Sequence, residues 1–236
     1  MPCCGTQGAY AGQSRKTTKS GSTFGAMTAA AAIALALVTA LDWAAVQRQW
    51  VRLERVAKPL VIVVLAWLAV TMGATDHDVG RFLLVALGFS LVGDIFLLGS
   101  KTVDFSGGLV AFLVAHIAFA LAFLTLGVEL RWALVGLLVA VPLSLTAGRR
   151  IVQAATHEGG AALGSAVTAY LVVIVAMVTA ASGTALPLVF LGALAFLLSD
   201  TVLALDRFVG PRSNARMLVI VTYHLGQVLM VVGALR

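Results

Sequence analysis

Six ionisable side chains stand inside long apolar blocks of this 236-residue sequence: Asp42, Asp94, His116, Asp200, Asp206 and His224. At such a depth each costs roughly 2.5–3.5 kcal/mol on membrane-insertion scales, so each needs a partner or a role. Asp94 and Asp200 carry the most chemical promise. They occupy two separate blocks, and paired carboxyl groups in unlike surroundings can divide acid and base work between them. Spacing places further residues on shared helix faces: Phe112, His116 and Phe119; Asp200, Ala204 and Arg207; Tyr223 and Gln227. Each also has a plain structural reading. Asp94 and Asp200 can be bonded to backbone or to Lys58 and Arg207, and His116 and His224 can be satisfied interior groups. Asp206 and Arg207 can form an interfacial charge pair, and Tyr223 and Gln227 can bond between helices.

Other chemistries lack their signatures. The sequence has no HExxH motif, no phosphate-binding P-loop and no GxSxG nucleophile turn. Only two histidines lie inside the apolar blocks, where zinc sites want more His or Cys ligands. A metal held by several Asp residues is the minority reading, and neither metal nor cofactor is expected. With no nucleophile constellation in view, the two carboxyl groups point to acid–base chemistry.

The elements that must position these groups are membrane helices. The chain is 61% apolar and only 11% charged, against roughly 25% charged in a typical soluble domain. The blocks run about 15–22 residues, the length that crosses a hydrocarbon core. A lipid-facing backbone must satisfy its own hydrogen bonds, which helices do. The reading is an all-α polytopic bundle of about eight transmembrane helices, at Met27–Val46, Pro59–Gly73, Gly80–Gly99, Gly107–Gly127, Arg131–Ala147, Ala162–Ser182, Ala185–Asp206 and Ala215–Leu235. The alternation of a membrane β-barrel is absent, as is any internal repeat of the inverted-transporter kind.

Residues 1–26 differ from this 27–236 membrane domain. They are rich in Gly, Ser and Thr, carry Arg15, Lys16 and Lys19, and read as a disordered basic tail. The first apolar stretch continues to Val46 without a strong cleavage site, which favours a retained helix over a signal peptide. Cys3 and Cys4 are the only cysteines, so no disulfide framework exists.

Basic residues give an orientation. Arg48, Arg52, Arg55, Lys58, Lys101, Arg149, Arg150, Arg207, Arg212 and Arg216 follow odd-numbered blocks; Arg15, Lys16, Lys19, Arg81, Arg131 and Arg236 lie on the other side. Ten against six places the odd-numbered loops in the cytoplasm and both termini outside. The net charge of +6 fits this rule and anionic headgroups; no nucleic-acid partner is expected. At 1.5 Å per residue, Lys58, Asp94, His116, Tyr170, Asp200 and Tyr223 all fall in the half of the membrane nearer those loops. One polar pocket facing one leaflet is the economical arrangement.

These residues resemble the motifs of the YhhN-like membrane family, which includes the lysoplasmalogenases. Gly93, Asp94, Ile95, Phe96, Leu97 and Leu98 are similar to its GD motif, and Phe112 with His116 to the next one. Ser199 and Asp200, followed by Arg207 and Phe208, resemble its SD-containing helix; Thr222, Tyr223 and Gln227 resemble its last helix. Lys58, Pro59 and Leu60 match a KP step, and Tyr170 falls where the family often has Tyr. His224 and Phe119 depart from the pattern, each at an aromatic position.

The resemblance implies hydrolysis of the vinyl ether bond of a lysoplasmalogen-like lysophospholipid, giving a fatty aldehyde and a glycerophospho-alcohol in a bacterial cell membrane. On it, Asp94 and Asp200 are the catalytic pair, His116, Tyr170, Tyr223 and Gln227 support them, and Lys58 and Arg207 receive the headgroup. The alternatives are a small proton-coupled transporter or flippase using the same Asp residues, and a structural or lipid-binding membrane protein.

Overall fold

The computed structural model describes residues 14–99 and 102–236. Residues 1–13, with Cys3 and Cys4, and Lys101 lie outside the described residues. The described residues form seven helices: α1 (Ser14–Gln47), α2 (Val51–Thr71), α3 (Asp78–Leu97), α4 (Thr102–Thr125), α5 (Leu130–Gly183), α6 (Pro187–Ala204) and α7 (Ala215–Ala234), with a π-helical turn at Leu205–Val209 closing α6. Among the described residues all regular structure is helical. Helix α1 starts at Ser14, ahead of the expected Met27. Once a helix has nucleated, each added residue gains a hydrogen bond for one fixed residue, so it can propagate into weakly helical sequence.

All but α2 are long and apolar enough to cross a membrane. Arg52, Glu54, Arg55 and Lys58 crowd the first turns of α2. That helix starts at Val51, eight residues before the expected Pro59, which therefore sits in its interior. There Pro59 has no N–H to give the carbonyl of Arg55.

Helix α5 is 54 residues long, roughly 80 Å at 1.5 Å per residue, far more than a single crossing of about 30 Å. It breaks at Gly159 and Gly160, where Gly160 adopts φ +69°, a conformation glycine reaches without steric penalty. The two arms fold back on each other. Ser182 donates to the Trp132 carbonyl at 2.7 Å, and Gly148 faces Leu171. Counting the arms separately gives eight helical segments. The 148–158 stretch, expected as loop, is helical because Gly148, Ile151 and Ala155 repeat at helical spacing and are buried.

Large apolar side chains such as Ile33, Leu37, Val110, Leu138 and Val172 are exposed around the bundle. In water such surface is a liability; against lipid it is the expected outer face of a membrane protein. Helix α7 packs against α1, α2, α3 and α6 and is the hub of the bundle. Its approach to α6 is close: a Cβ on Gly192 would lie 2.8 Å from the Gly226 carbonyl oxygen, and one on Gly226 would lie 2.9 Å from that of Gly192. Small residues at such a crossing let two membrane helices meet backbone to backbone. The crossing sets Tyr223 of α7 against Phe196 of α6, with ring centroids 5.3 Å apart.

Candidate functional site

Two carboxyl groups anchor the interior, each with its own set of partners. Asp94, on α3, is wholly buried. Lys58 of α2 places its ammonium 3.2 Å from Asp94 Oδ1, and Tyr223 of α7 donates its hydroxyl to Oδ2 at 2.8 Å. Asp200, on α6, accepts a 2.5 Å hydrogen bond from the Tyr170 hydroxyl on the second arm of α5. His116 Nε2 of α4 lies 3.4 Å from the same oxygen, Oδ2, longer than a normal hydrogen bond. The other ring nitrogen, Nδ1, sits 2.5 Å from the Phe112 carbonyl. A carbonyl only accepts, so Nδ1 carries a hydrogen and Nε2 is the nitrogen free to exchange a proton with Asp200.

Aromatic rings join the two halves. Phe196 lies between His116 and Tyr223, with centroids 4.7 and 5.3 Å away in edge-to-face contacts. Phe112 meets Tyr223 at 5.8 Å, and His116 meets Tyr170 at 5.2 Å. Tyr223 lies within the electrostatic reach of both carboxyl groups. Gln227, one turn beyond it, is fully buried. The six interior residues singled out in the sequence, Asp94, His116, Tyr170, Asp200, Tyr223 and Gln227, therefore converge from five helices.

Access to the two carboxyls differs. Asp200 and Tyr170 line a cavity of about 50 Å³ whose other walls are apolar but for Thr201, among them Phe112, Ile151 and Leu171. Asp94 is sealed, and its partner Lys58 lines a polar vestibule of about 510 Å³ at the end of the bundle. Leu97, Phe105 and Leu203 wall both spaces, so the vestibule and the apolar cavity adjoin.

The cations at this mouth depart from expectation. Arg207 does not pair with Asp206. It makes a two-pronged bond to Glu158 of α5, at 2.6 and 3.0 Å, and its guanidinium lies 5.2 Å from each of the touching rings of Phe105 and Phe208. Asp206 accepts from the backbone N–H of Arg212 at 2.7 Å. Asp206 and Arg207 both stand in the π turn Leu205–Val209, whose wider turn also carries Arg207 off the stripe that runs through Asp200 and Ala204. Lys58, expected at a headgroup, is committed to Asp94.

Sequence spacing missed a further interior group. Asp42 of α1 is fully buried, and the charges close enough to act on it are Lys58, Glu54 and Asp94. Beside it Trp43 donates to His224 Nδ1 at 3.2 Å. Their partners lie far away in sequence, and only the ionisable character of Asp42 and His224 within apolar blocks signalled them.

The fold and this interior define a multi-pass membrane protein with a buried site built on two carboxyl groups. The family model described as the YhhN family matches residues 53–234, and the chain belongs to that family. The match takes in every residue of the two carboxyl clusters and leaves out Asp42 and Trp43 on α1. No solved structure matches the chain.

Proposed function

We propose that this protein hydrolyses the vinyl ether bond of a lysoplasmalogen-like lysophospholipid. The observation that carries the reading is the unlike partnering of Asp94 and Asp200. Asp94 faces a cation and a hydroxyl donor, the surroundings of a carboxylate. Asp200 has no cationic side chain bonded to it among the described residues, unless His116 takes up a proton, and it lines a small apolar cavity, whereas Asp94 is sealed. Asp200 is thus the proton donor and Asp94 the fixed negative charge, a division the sequence left open.

The chemistry follows from the substrate. A vinyl ether is an electron-rich alkene whose hydrolysis begins with proton transfer to the carbon distant from oxygen. Asp200 delivers that proton, and the adjoining carbon and oxygen share the positive charge of an oxocarbenium ion. The anionic Asp94 stabilises that charge through space. Water adds to the cation and loses a proton to the His116–Asp200 pair, which restores the acid. The resulting hemiacetal then breaks its C–O bond to give the fatty aldehyde and the glycerophospho-alcohol. Overall one water is consumed and both products leave with balanced protons.

The test uses purified protein in detergent with a lysoplasmalogen, measuring aldehyde and glycerophospho product together. Equal amounts of the two, made only with active protein, support hydrolysis. A protein that releases neither, yet moves lipid or protons across liposomes, is a transporter in which these carboxyls act as a relay.

A further inference from the structure

We infer that Arg55 is the phosphate anchor of the vestibule, and that it makes the site selective for phosphorylated over unphosphorylated single-chain lipids. The inference rests on the lysophospholipid reading above and names the residue that receives the headgroup.

Four cations wall the vestibule: Arg55, Lys58, Arg207 and Arg216. Three are already held. Lys58 pairs with Asp94, Arg207 with Glu158, and Arg216 with Glu54 at 2.5 Å. Among the described residues Arg55 has no ion pair. It lies one turn before Lys58 on α2, exposed to the mouth of the vestibule. A guanidinium offers a planar fork of donors that matches two phosphate oxygens at once. The three engaged cations are each balanced by a carboxylate, so among the cations lining the vestibule Arg55 alone offers an unbalanced charge and a free fork. The chain of a bound lipid would run past Leu97, Phe105 and Leu203, the walls shared with the apolar cavity. A phosphate on Arg55, with the first carbons of the chain entering that cavity, would bring the bond linking headgroup to chain toward the Lys58–Asp94 pair and Asp200.

A binding measurement separates this anchor from the hydrolysis itself. The full-length protein in detergent is titrated with an acyl lysophosphatidylethanolamine, which has no vinyl ether, and with a monoacylglycerol of the same chain length. The wild type is expected to bind the phosphorylated lipid about tenfold more tightly, the scale of one charge-assisted contact. Arg55→Gln should abolish that preference, Arg55→Lys should keep part of it, and Arg52→Gln, outside the vestibule, should keep all of it. Inorganic phosphate at matched concentration should not displace the lysolipid, because it cannot use the apolar cavity. Equal wild-type affinity for the two lipids overturns the inference. So does a preference that survives Arg55→Gln, one lost equally in Arg52→Gln, or displacement by inorganic phosphate. A preference that depends on Arg55 in a protein that releases no aldehyde upholds the anchor and removes the hydrolase reading alone.

Discussion

Lys58 and Asp94 face each other across the α2–α3 interface, 3.2 Å apart, with the carboxylate side chain 1% exposed and the lysine 15%. A charge pair at this depth gains little net stability, but removing one partner strands the other. Lys58→Met should therefore destabilise the protein by about 3–5 kcal/mol. Adding Asp94→Asn to it should recover much of that loss. Denaturant or thermal unfolding in detergent reads both, and equal instability of the single and double variants would show that the pair is not coupled.

The two tyrosines should prove unequal. Tyr170 holds the proton-donating Asp200, whereas Tyr223 holds the anion already paired with Lys58. Tyr170→Phe is expected to lower kcat by about tenfold or more, in line with the loss of one hydrogen bond to a reacting group. Tyr223→Phe should lower it less, because Lys58 remains. Steady-state aldehyde release compares them, and a larger effect of Tyr223→Phe would reverse the assigned roles of the carboxyls.

The α6–α7 crossing should tolerate no side chain. Gly226→Val would drive its Cβ into the Gly192 carbonyl and the Phe196 backbone, and overpacking of this kind typically costs about 1–3 kcal/mol. The same shift moves Tyr223 away from Asp94 and Phe196, so activity should fall with stability. A Gly226→Val protein as stable and active as wild type would disprove the close approach.

Orientation is open to reporter fusions. The excess of Lys and Arg after odd-numbered segments predicts a cytoplasmic signal at the Gly160 break and an outside signal at the C-terminus. A cytoplasmic C-terminus would invert the assignment and place the vestibule on the other face.

Much of this architecture is legible in the sequence because lipid imposes a length on apolar blocks. The positions of Asp94, His116, Tyr170, Asp200 and Tyr223 follow from depth along those blocks, but the structure gives two separately partnered carboxyls, one sealed and one on an apolar cavity, in place of the single polar pocket expected. What spacing does not convey is partnership between helices. The bond from Arg207 to Glu158 spans 49 residues and depends on a π turn and on α5 continuing to Glu158. The Trp43–His224 bond spans 181. The expected Asp206–Arg207 pair is absent because Arg207 reaches across to Glu158 and Asp206 to the Arg212 backbone, and adjacent residues on a helix point in different directions. The start of α2 differs because a proline reads as a first-turn residue, whereas Pro59 stands eight residues inside the helix, where it leaves only the Arg55 carbonyl without its helical N–H.

Proton transfer from Asp200 to carbon is the central claim, and isotope incorporation tests it most directly. Reaction of a lysoplasmalogen in D₂O, with the aldehyde trapped at once and weighed by mass spectrometry, should give a product bearing a single deuterium on the carbon next to the carbonyl. Asp200→Asn should slow formation of that product by about 10²–10⁴ while the protein stays folded, and His116→Ala should slow it less. Aldehyde released without deuterium at that carbon, or released at near-normal rate by Asp200→Asn, would contradict the account.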